Sequence, residues 1–471
     1  MNLRLVCGLD GTISRSGISI AKLRAEFAGQ VIGPDDPQYD EARSVFLPTV
    51  DRRPALIVRP ADGGEVARVV SLARENGLEL AVRSGGHSGA GHGVSEGGIV
   101  LDLSLMKALD IDPERRSAWA ETGLTSGEVT RAAAEHGLAV GFGDTGSVGI
   151  GGLTVGGGVG YLVRKHGLTI DSLLAAEIAT ADGRLLQADE ERDPDLFWAI
   201  RGGGGNFGVA TRFQYRLQPV HTVTGGMLVL PATAETIAGF IAAAEEAPGE
   251  LSTIANVMPA PPMPFVPEEH HGELVILGML VHAGPAGAGE RAVAPFRGLA
   301  TPIADLLRPM PYPEVYPPDD PDYRPLAAAR TMFVETIARG EAETILEHLR
   351  ASTAQMPVAQ LRVLGGAMAR VPVEATAFAH RASRIMVNVA AVYATPDEAP
   401  THEAWVDAAV AALRQSDAGA YVNFLGDEGE ERVRAAYPGP TWDRLAAIKK
   451  RYDPTNLFRL NQNVPPADDG A

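Results

Sequence analysis

Apolar residues along the chain follow two different rhythms, and the change falls near His221. From Pro54 to about Gln218, short apolar runs alternate with amphipathic stretches. ALIVRP (55–60) predicts a strand, GEVARVVSLARENG (64–77) an amphipathic helix, and LELAVRSGGHS (78–88) a strand running into a loop. IVLDLSLM (99–106) predicts another strand, and SGEVTRAAAEHG (126–137) a helix stopped by Gly137. After His221 the runs LSTIANVMPA, ELVILGMLVHAG, RTMFVETIA and RIMVNVAAVYA read as strands separated by Ala-rich helices, which predicts a second domain with its own sheet. The last 50 or so residues hold YVNFLGD, the helix pattern TWDRLAAIKKRYDP and LFRLNQNVPP, polar enough to dock on a domain rather than trail from it.

Length supports the division. A chain of 471 residues exceeds the roughly 250–300 at which single cores stop growing. Proline-rich stretches at 259–267 and 309–321 read as loops at the edge of the second sheet, either connectors or the lining of a substrate entrance. With 41 Lys and Arg against 59 Asp and Glu, the net charge of −18 has the wrong sign for gathering nucleic-acid phosphates or anionic lipid. No apolar run nears the roughly 18 residues that cross a bilayer, and charges run through the first 30 residues, so a cytoplasmic location is expected. Cys7 is the single cysteine, which excludes an intrachain disulfide and a thiolate metal cluster.

Glycine carries the chemical signal. GFGDTG (141–146) and GGGNFG (203–208) both match G-x-G-x-x-G, yet neither sits in a strand–turn–helix frame. The first runs into SVGIGGLTVGGGVG, too glycine-dense for a helix interior, and the second into the strand VATRFQYRL. A Rossmann NAD site is therefore disfavoured, as is a P-loop, since no Gly-Lys-Ser/Thr follows. Three loops remain, RSGGHS (83–88), DTGSVGIGGLTVGGGVG (144–160) and RGGGGNFG (201–208), and bare backbone of this kind suits a long cofactor with two phosphates. EEHH (268–271) reads as a solvated turn rather than a metal site.

RPALIVRP (53–60), RSGGHS, GIGGLTVGGGVG (149–160), ADGR (181–184), DLFWAIRGGGGNFGV (195–209), YVNFLGD and YDPTNLFRLNQN (452–463) occur together and in order. In this the sequence resembles the berberine-bridge-enzyme-like branch of the vanillyl-alcohol-oxidase flavoproteins, over nearly the whole chain after about residue 35. The resemblance implies an α+β, two-domain vanillyl-alcohol-oxidase-type fold. A discontinuous FAD-binding domain (34–217 and 417–466) would embrace an antiparallel-sheet substrate domain (218–416).

The resemblance also implies site residues. His87 would bond covalently to the flavin 8α-methyl carbon. Many relatives hold the flavin again through a Cys where this chain has Thr145, so a single link is expected. Arg83, Ser84, Gly85, Gly86, Ser88, Thr145, Gly149, Gly152, Gly157, Gly158, Gly160 and Val209 would contact FAD, largely through backbone. Val148 would stand over the flavin and favour oxygen access, and Tyr421 and Asn423 would reach the isoalloxazine. His92 is placed either near the flavin or as a structural loop histidine.

The expected reaction is hydride transfer from a C–H of an alcohol, lactol or natural-product intermediate to the flavin, with dioxygen as acceptor and hydrogen peroxide as product. A dehydrogenase or monooxygenase on the same scaffold, or a flavin-binding protein without turnover, are the alternatives. Some relatives place a carboxylate or amide on the strand matching LGGAMARVP, where this chain has Ala367, Ala369 and Arg370. That leaves Tyr421 as candidate base, with Arg370 either lowering its pKa, binding an acidic substrate, or solvated at the surface.

Overall fold

The computed structural model describes residues 19–318, 320, 323–415 and 419–468. Cys7 lies outside the described residues. The first region is built on two sheets. Strands Gln30–Ile32, Leu56–Arg59, Ile99–Asp102 and Leu80–Arg83 form one in that order, with parallel pairing of Leu56–Arg59 and Leu80–Arg83 to the strand between them. The helix joining Leu56–Arg59 to Leu80–Arg83 is Gly63–Asn76. Its N-terminus is capped by the Asp62 side chain, which accepts from Glu65 N at 2.9 Å, and it is stopped by Gly77 in the left-handed region (φ 61°). Val66, Val69, Val70 and Ala73 on one side of this helix are completely buried, the side the sequence marks as apolar.

A second, five-stranded sheet runs Leu109–Asp112, Ser117–Glu121, Val209–Arg216, Leu173–Ala179, Leu185–Ala188. The helix expected to stop at Gly137 ends earlier, at Ala134, and Gly137 (φ 65°) turns the chain three residues later. The segment judged too glycine-rich for a helix does form one, Ile150–Val155. It is short, and it closes at Gly156 before the glycines at 157 and 158 adopt positive φ.

From Thr222 onward the chain builds one eight-stranded antiparallel sheet. Its long strands run in spatial order Thr222–Pro231, Leu274–His282, Leu251–Pro259, Met356–Val363, Ile385–Tyr393, Leu326–Val334. Helices Ala234–Glu246, Ala286–Arg297, Arg339–Ala351 and Ala399–Leu413 pack on one face through Phe240, Phe296, Leu346 and Val406. Side chains alternate, so residues of the other parity point to the opposite, front face. The stretch expected as loop at 309–321 begins as a strand, Arg308–Pro311 paired to Thr222–Gly225, while 260–267 is a loop whose Met263, Phe265 and Val266 fold onto the front face.

The last segment returns to the first region. YVNF is a 3-10 turn (Val422–Phe424), and the helix Pro440–Tyr452 packs Trp442, Leu445 and Ile448 into the core of the second sheet. Lys449, completely buried at its base, donates to Asp453 (2.7 Å) and to the carbonyls of Asn206 and Phe458, tying this helix to the third glycine loop. The result is a two-domain α+β fold.

Candidate active site

Two glycine loops meet backbone to backbone. A Cβ on Gly85 would lie 2.4 Å from Gly149 N, and one on Gly149 would lie 2.2 Å from both Gly85 N and Ser84 Oγ. Only glycine permits that approach. Ser84 Oγ donates to Thr122 O and accepts from Gly151 N at 3.3 Å, fixing the junction. Gly86 adopts φ 72°, and its carbonyl accepts from Phe46 N at 3.1 Å. This places the Phe46 ring parallel to that of His87, with centroids 4.6 Å apart and an interplanar angle of 22°. Ser88 Oγ accepts from His92 N at 3.4 Å. Gly152 is exposed, and a Cβ there would meet nothing within 4 Å, so the loop is open on that side.

Gly157, Gly158 and Gly160 are buried and pack closely against protein. A Cβ on Gly157 would press on Phe378 and Tyr421, one on Gly158 would sit 2.0 Å from Thr169 Oγ1, and one on Gly160 1.6 Å from Phe142 O. Val209 is likewise a core residue. Thr145 Oγ1 bonds Asp144 Oδ1 at 3.3 Å, and the carbonyl of half-buried Val148 accepts from Ser126 N and Oγ at 2.9 and 3.0 Å.

The C-terminal turn lies against these glycines. Tyr421, buried, accepts at its phenol oxygen from Gly158 N (2.9 Å) and from Asn423 Nδ2 (3.0 Å), while Asn423 Nδ2 also donates to Leu153 O (2.9 Å). Burial raises the Tyr421 pKa above its usual value, against the opposing pull of these donors and of the Arg362 charge. The lowered pKa expected for a base is therefore not found.

Arg370 is exposed at the end of the short helix Ala367–Arg370, because LGGAMARVP is a loop and helical turn instead of a strand. The cation acting on Tyr421 is Arg362, the next-to-last residue of the preceding strand Met356–Val363. Its buried guanidinium pairs with Asp144, donates to Gln360 Oε1 from Nε and Nη2 (2.9 and 2.7 Å), and lies 5.2 Å from the Phe424 ring centre. Gln360 passes the bond on, donating to Asn256 Oδ1 at 2.8 Å. Arg362, Gln360 and Asn256 escaped sequence reasoning. The available signal was polar residues inside two largely apolar strands, Asn256 in Leu251–Pro259 and Gln360 and Arg362, two apart and so on one face, in Met356–Val363.

Arg83 is fixed by its own side-chain contacts. Its side chain points inward, donating to Asp102 Oδ2 (2.9 Å), Ser44 O (3.1 Å) and Ala42 O, so that any contact with a ligand falls to its backbone. His92 is half-buried, and burial pulls its pKa down to about 4. Among the described residues no group of His, Cys, Asp and Glu could hold a metal, and His270 of the EEHH turn pairs instead with Glu273 at 2.7 Å. No helix among them is long and apolar enough to cross a membrane.

Comparison with known proteins agrees with this geometry. Residues 54–189 match the family described as FAD binding domain, and residues 420–465 that described as Berberine and berberine like. The (R)-6-hydroxynicotine oxidase of Paenarthrobacter nicotinovorans is 32% identical over 459 residues, covering 93% of this chain and 97% of that protein. An uncharacterized FAD-linked oxidoreductase of Bacillus subtilis, YvdP, is 33% identical over 460 residues, 94% and 99% of the two chains. The crystal structure of 6-hydroxy-D-nicotine oxidase from Arthrobacter nicotinovorans superposes with a TM-score of 0.84 at 29% identity, over 94% of this chain and 98% of that one. Fold and glycine loops thus define a two-domain FAD-linked oxidoreductase. The chain belongs to the berberine-bridge-enzyme-like family of vanillyl-alcohol-oxidase-type flavoproteins.

Proposed function

We propose that the protein is an oxidase of small molecules whose FAD is tethered once, through His87, with dioxygen as electron acceptor. The paired loops at Gly85 and Gly149, open beside Gly152, fit a bound dinucleotide. When bound, FAD supplies the two-electron oxidation and the return of those electrons to dioxygen as hydrogen peroxide. The imidazole of His87, stacked on Phe46, is held at the rim of the first loop as a nucleophilic nitrogen for the tether. Thr145 offers a hydroxyl where a second, sulfur link would need a thiol, which supports a single bond. Gly85, Gly86, Ser88, Val148, Gly149 and Gly152 are assigned to cofactor contact, and the division 34–217, 218–416 and 417–466 to its two-domain framework. A cytoplasmic setting belongs to the same proposal.

The observation that carries the reading is the pinned phenol of Tyr421. With two N–H donors on its oxygen, the group at rest is a hydrogen-bond donor to substrate. As the substrate C–H is broken, Tyr421 holds the substrate's oxygen or nitrogen in line. The same donors and Arg362 would stabilise the oxygen if its proton is shared. The test is the visible spectrum before and after acid precipitation. Colour kept in the pellet, lost from it in His87→Ala, and peroxide formed during turnover are expected. Colour released from the unaltered protein removes the tether.

A further inference from the structure

We infer that the front face of the substrate sheet seats an uncharged, hydrogen-bonding group of the substrate, and that Asn388 is the side chain that selects it. This rests on the flavin-oxidase reading above.

Asn256 lies opposite Gln360, Gln360 opposite Asn388, and Asn388 opposite Thr331, so four polar side chains form one row across neighbouring strands on the face away from the helices. One step along the same face, Ile254, Arg362, Met386 and Phe333 form the next row, and Met386 and Phe333 share a cluster with Tyr421 and Phe378. On the other side lie Met258 and Val358, in an apolar cluster against which Met263 and Phe265 of the 260–267 loop pack. The polar row is thus a band flanked on one side by the row whose Met386 and Phe333 pack in the cluster of Tyr421, and on the other by apolar side chains.

Its hydrogen bonds are nearly all spent. Gln360 Oε1 is occupied by Arg362, its Nε2 by Asn256, and Asn256 Nδ2 by Leu277 O at 3.3 Å. Thr331 Oγ1 donates to Val387 O at 3.3 Å. Asn388, half-buried, makes no side-chain hydrogen bond to any described residue, so its donor and acceptor remain to be used.

Charge is spent as well. On the long strands the formally charged side chains are Arg330 and Arg362. Arg330 lies at the opposite parity to Thr331 and pairs with Asp407 at 2.9 Å, and Arg362 is neutralised by Asp144. A charged substrate group seated on this face would lose its hydration with no free counter-ion to replace it, whereas a carbonyl, amide or hydroxyl finds both partners on one amide.

The flavin-loaded protein is titrated with benzamide, benzoate and benzylammonium, reading the shift of the flavin absorption bands. Benzamide is expected to bind at least about tenfold tighter than either ion, and Asn388→Leu to weaken it about tenfold, the usual worth of one hydrogen bond. Asn388→Asp should turn the preference toward benzylammonium, and an unchanged flavin spectrum in both variants shows that the fold is kept. Tightest binding of either ion to the unaltered protein, binding of none of the three, or variants that leave the preference unchanged would overturn the inference. A preparation that carries no flavin would instead sink the parent reading.

Discussion

The phenol oxygen of Tyr421 accepts the backbone N–H of Gly158 at 2.9 Å, joining the C-terminal turn to the second glycine loop. Tyr421→Phe keeps the ring that packs on Phe378 and Phe424 and removes only the oxygen. Flavin content should be preserved, stability should fall by about 1 kcal/mol, and flavin reduction by substrate should slow by about 10²-fold or more. Because burial holds this phenol protonated above its usual pKa of 10.0, Tyr421 should contribute no rising limb to the rate between about pH 6 and 8. A limb in that window that disappears in the Phe variant would show the phenol ionising there, against this account.

Gly149 and Gly152 differ by three residues and should answer alanine in opposite ways. At Gly149 the new methyl collides with backbone of the facing loop, 2.2 Å from Gly85 N. Backbone cannot swing aside as a side chain does, so a loss of about 1–3 kcal/mol or more is expected, with poor flavin incorporation. At Gly152 the methyl meets nothing, and alanine also suits the helix Ile150–Val155. That variant should melt at or above the parent temperature while its flavin occupancy falls. Thermal melts paired with absorption ratios check both. Full occupancy in Gly152→Ala would remove this residue from the cofactor assignment.

The sheet elements were legible because their patterns are local. The helix Gly63–Asn76 has its Asp cap and Gly stop written beside it, and strands such as Leu274–His282 and Ile385–Tyr393 are runs of β-branched and aliphatic residues. The site was legible only in part. His87, Tyr421 and Asn423 stood out through the family resemblance, and the glycine loops by composition. Arg370 misled because the loop after a strand reads like the strand's continuation, while Arg362, buried within that strand, draws its meaning from Asp144, 218 residues away in sequence. Arg83 shows the same limit. That its side chain turns inward is not visible in the sequence, because its partners Asp102, Ser44 and Ala42 are set by tertiary packing.

Acid should loosen the first domain through His92. Burial lowers its folded pKa from 6.5 to about 4, with Asp427 partly offsetting this and Arg52 adding to it. The unfolded chain therefore binds this proton first as pH falls, so the stability contributed by a neutral His92 is present above about pH 6.5 and drains away between about 6.5 and 4. Melting temperature measured across that window should fall less steeply in His92→Gln, which cannot take up the proton. Parallel curves for the two proteins would assign the acid sensitivity to other groups.

A buried ion pair links the two regions. Arg381, 2% exposed, makes a two-pronged contact with Asp171, Nη1 to Oδ2 at 2.7 Å and Nη2 to Oδ1 at 2.8 Å, and a third bond to Thr376 Oγ1 at 2.8 Å. Asp171 also accepts from Leu168 N at 2.8 Å, so it shapes the turn that carries Thr169. Thr169 Oγ1 in turn donates to Gly141 O at 2.6 Å and packs beneath Gly158. Arg381→Met leaves a carboxylate buried without its counter-ion, and a loss of about 3–5 kcal/mol in denaturant unfolding is expected. The double change Asp171→Asn with Arg381→Met removes both charges and should recover much of that loss, because the penalty comes from the orphaned charge more than from the missing attraction. If the single and double variants unfold at the same denaturant concentration, the pair is not coupled and the turn at 168–172 is held by other contacts.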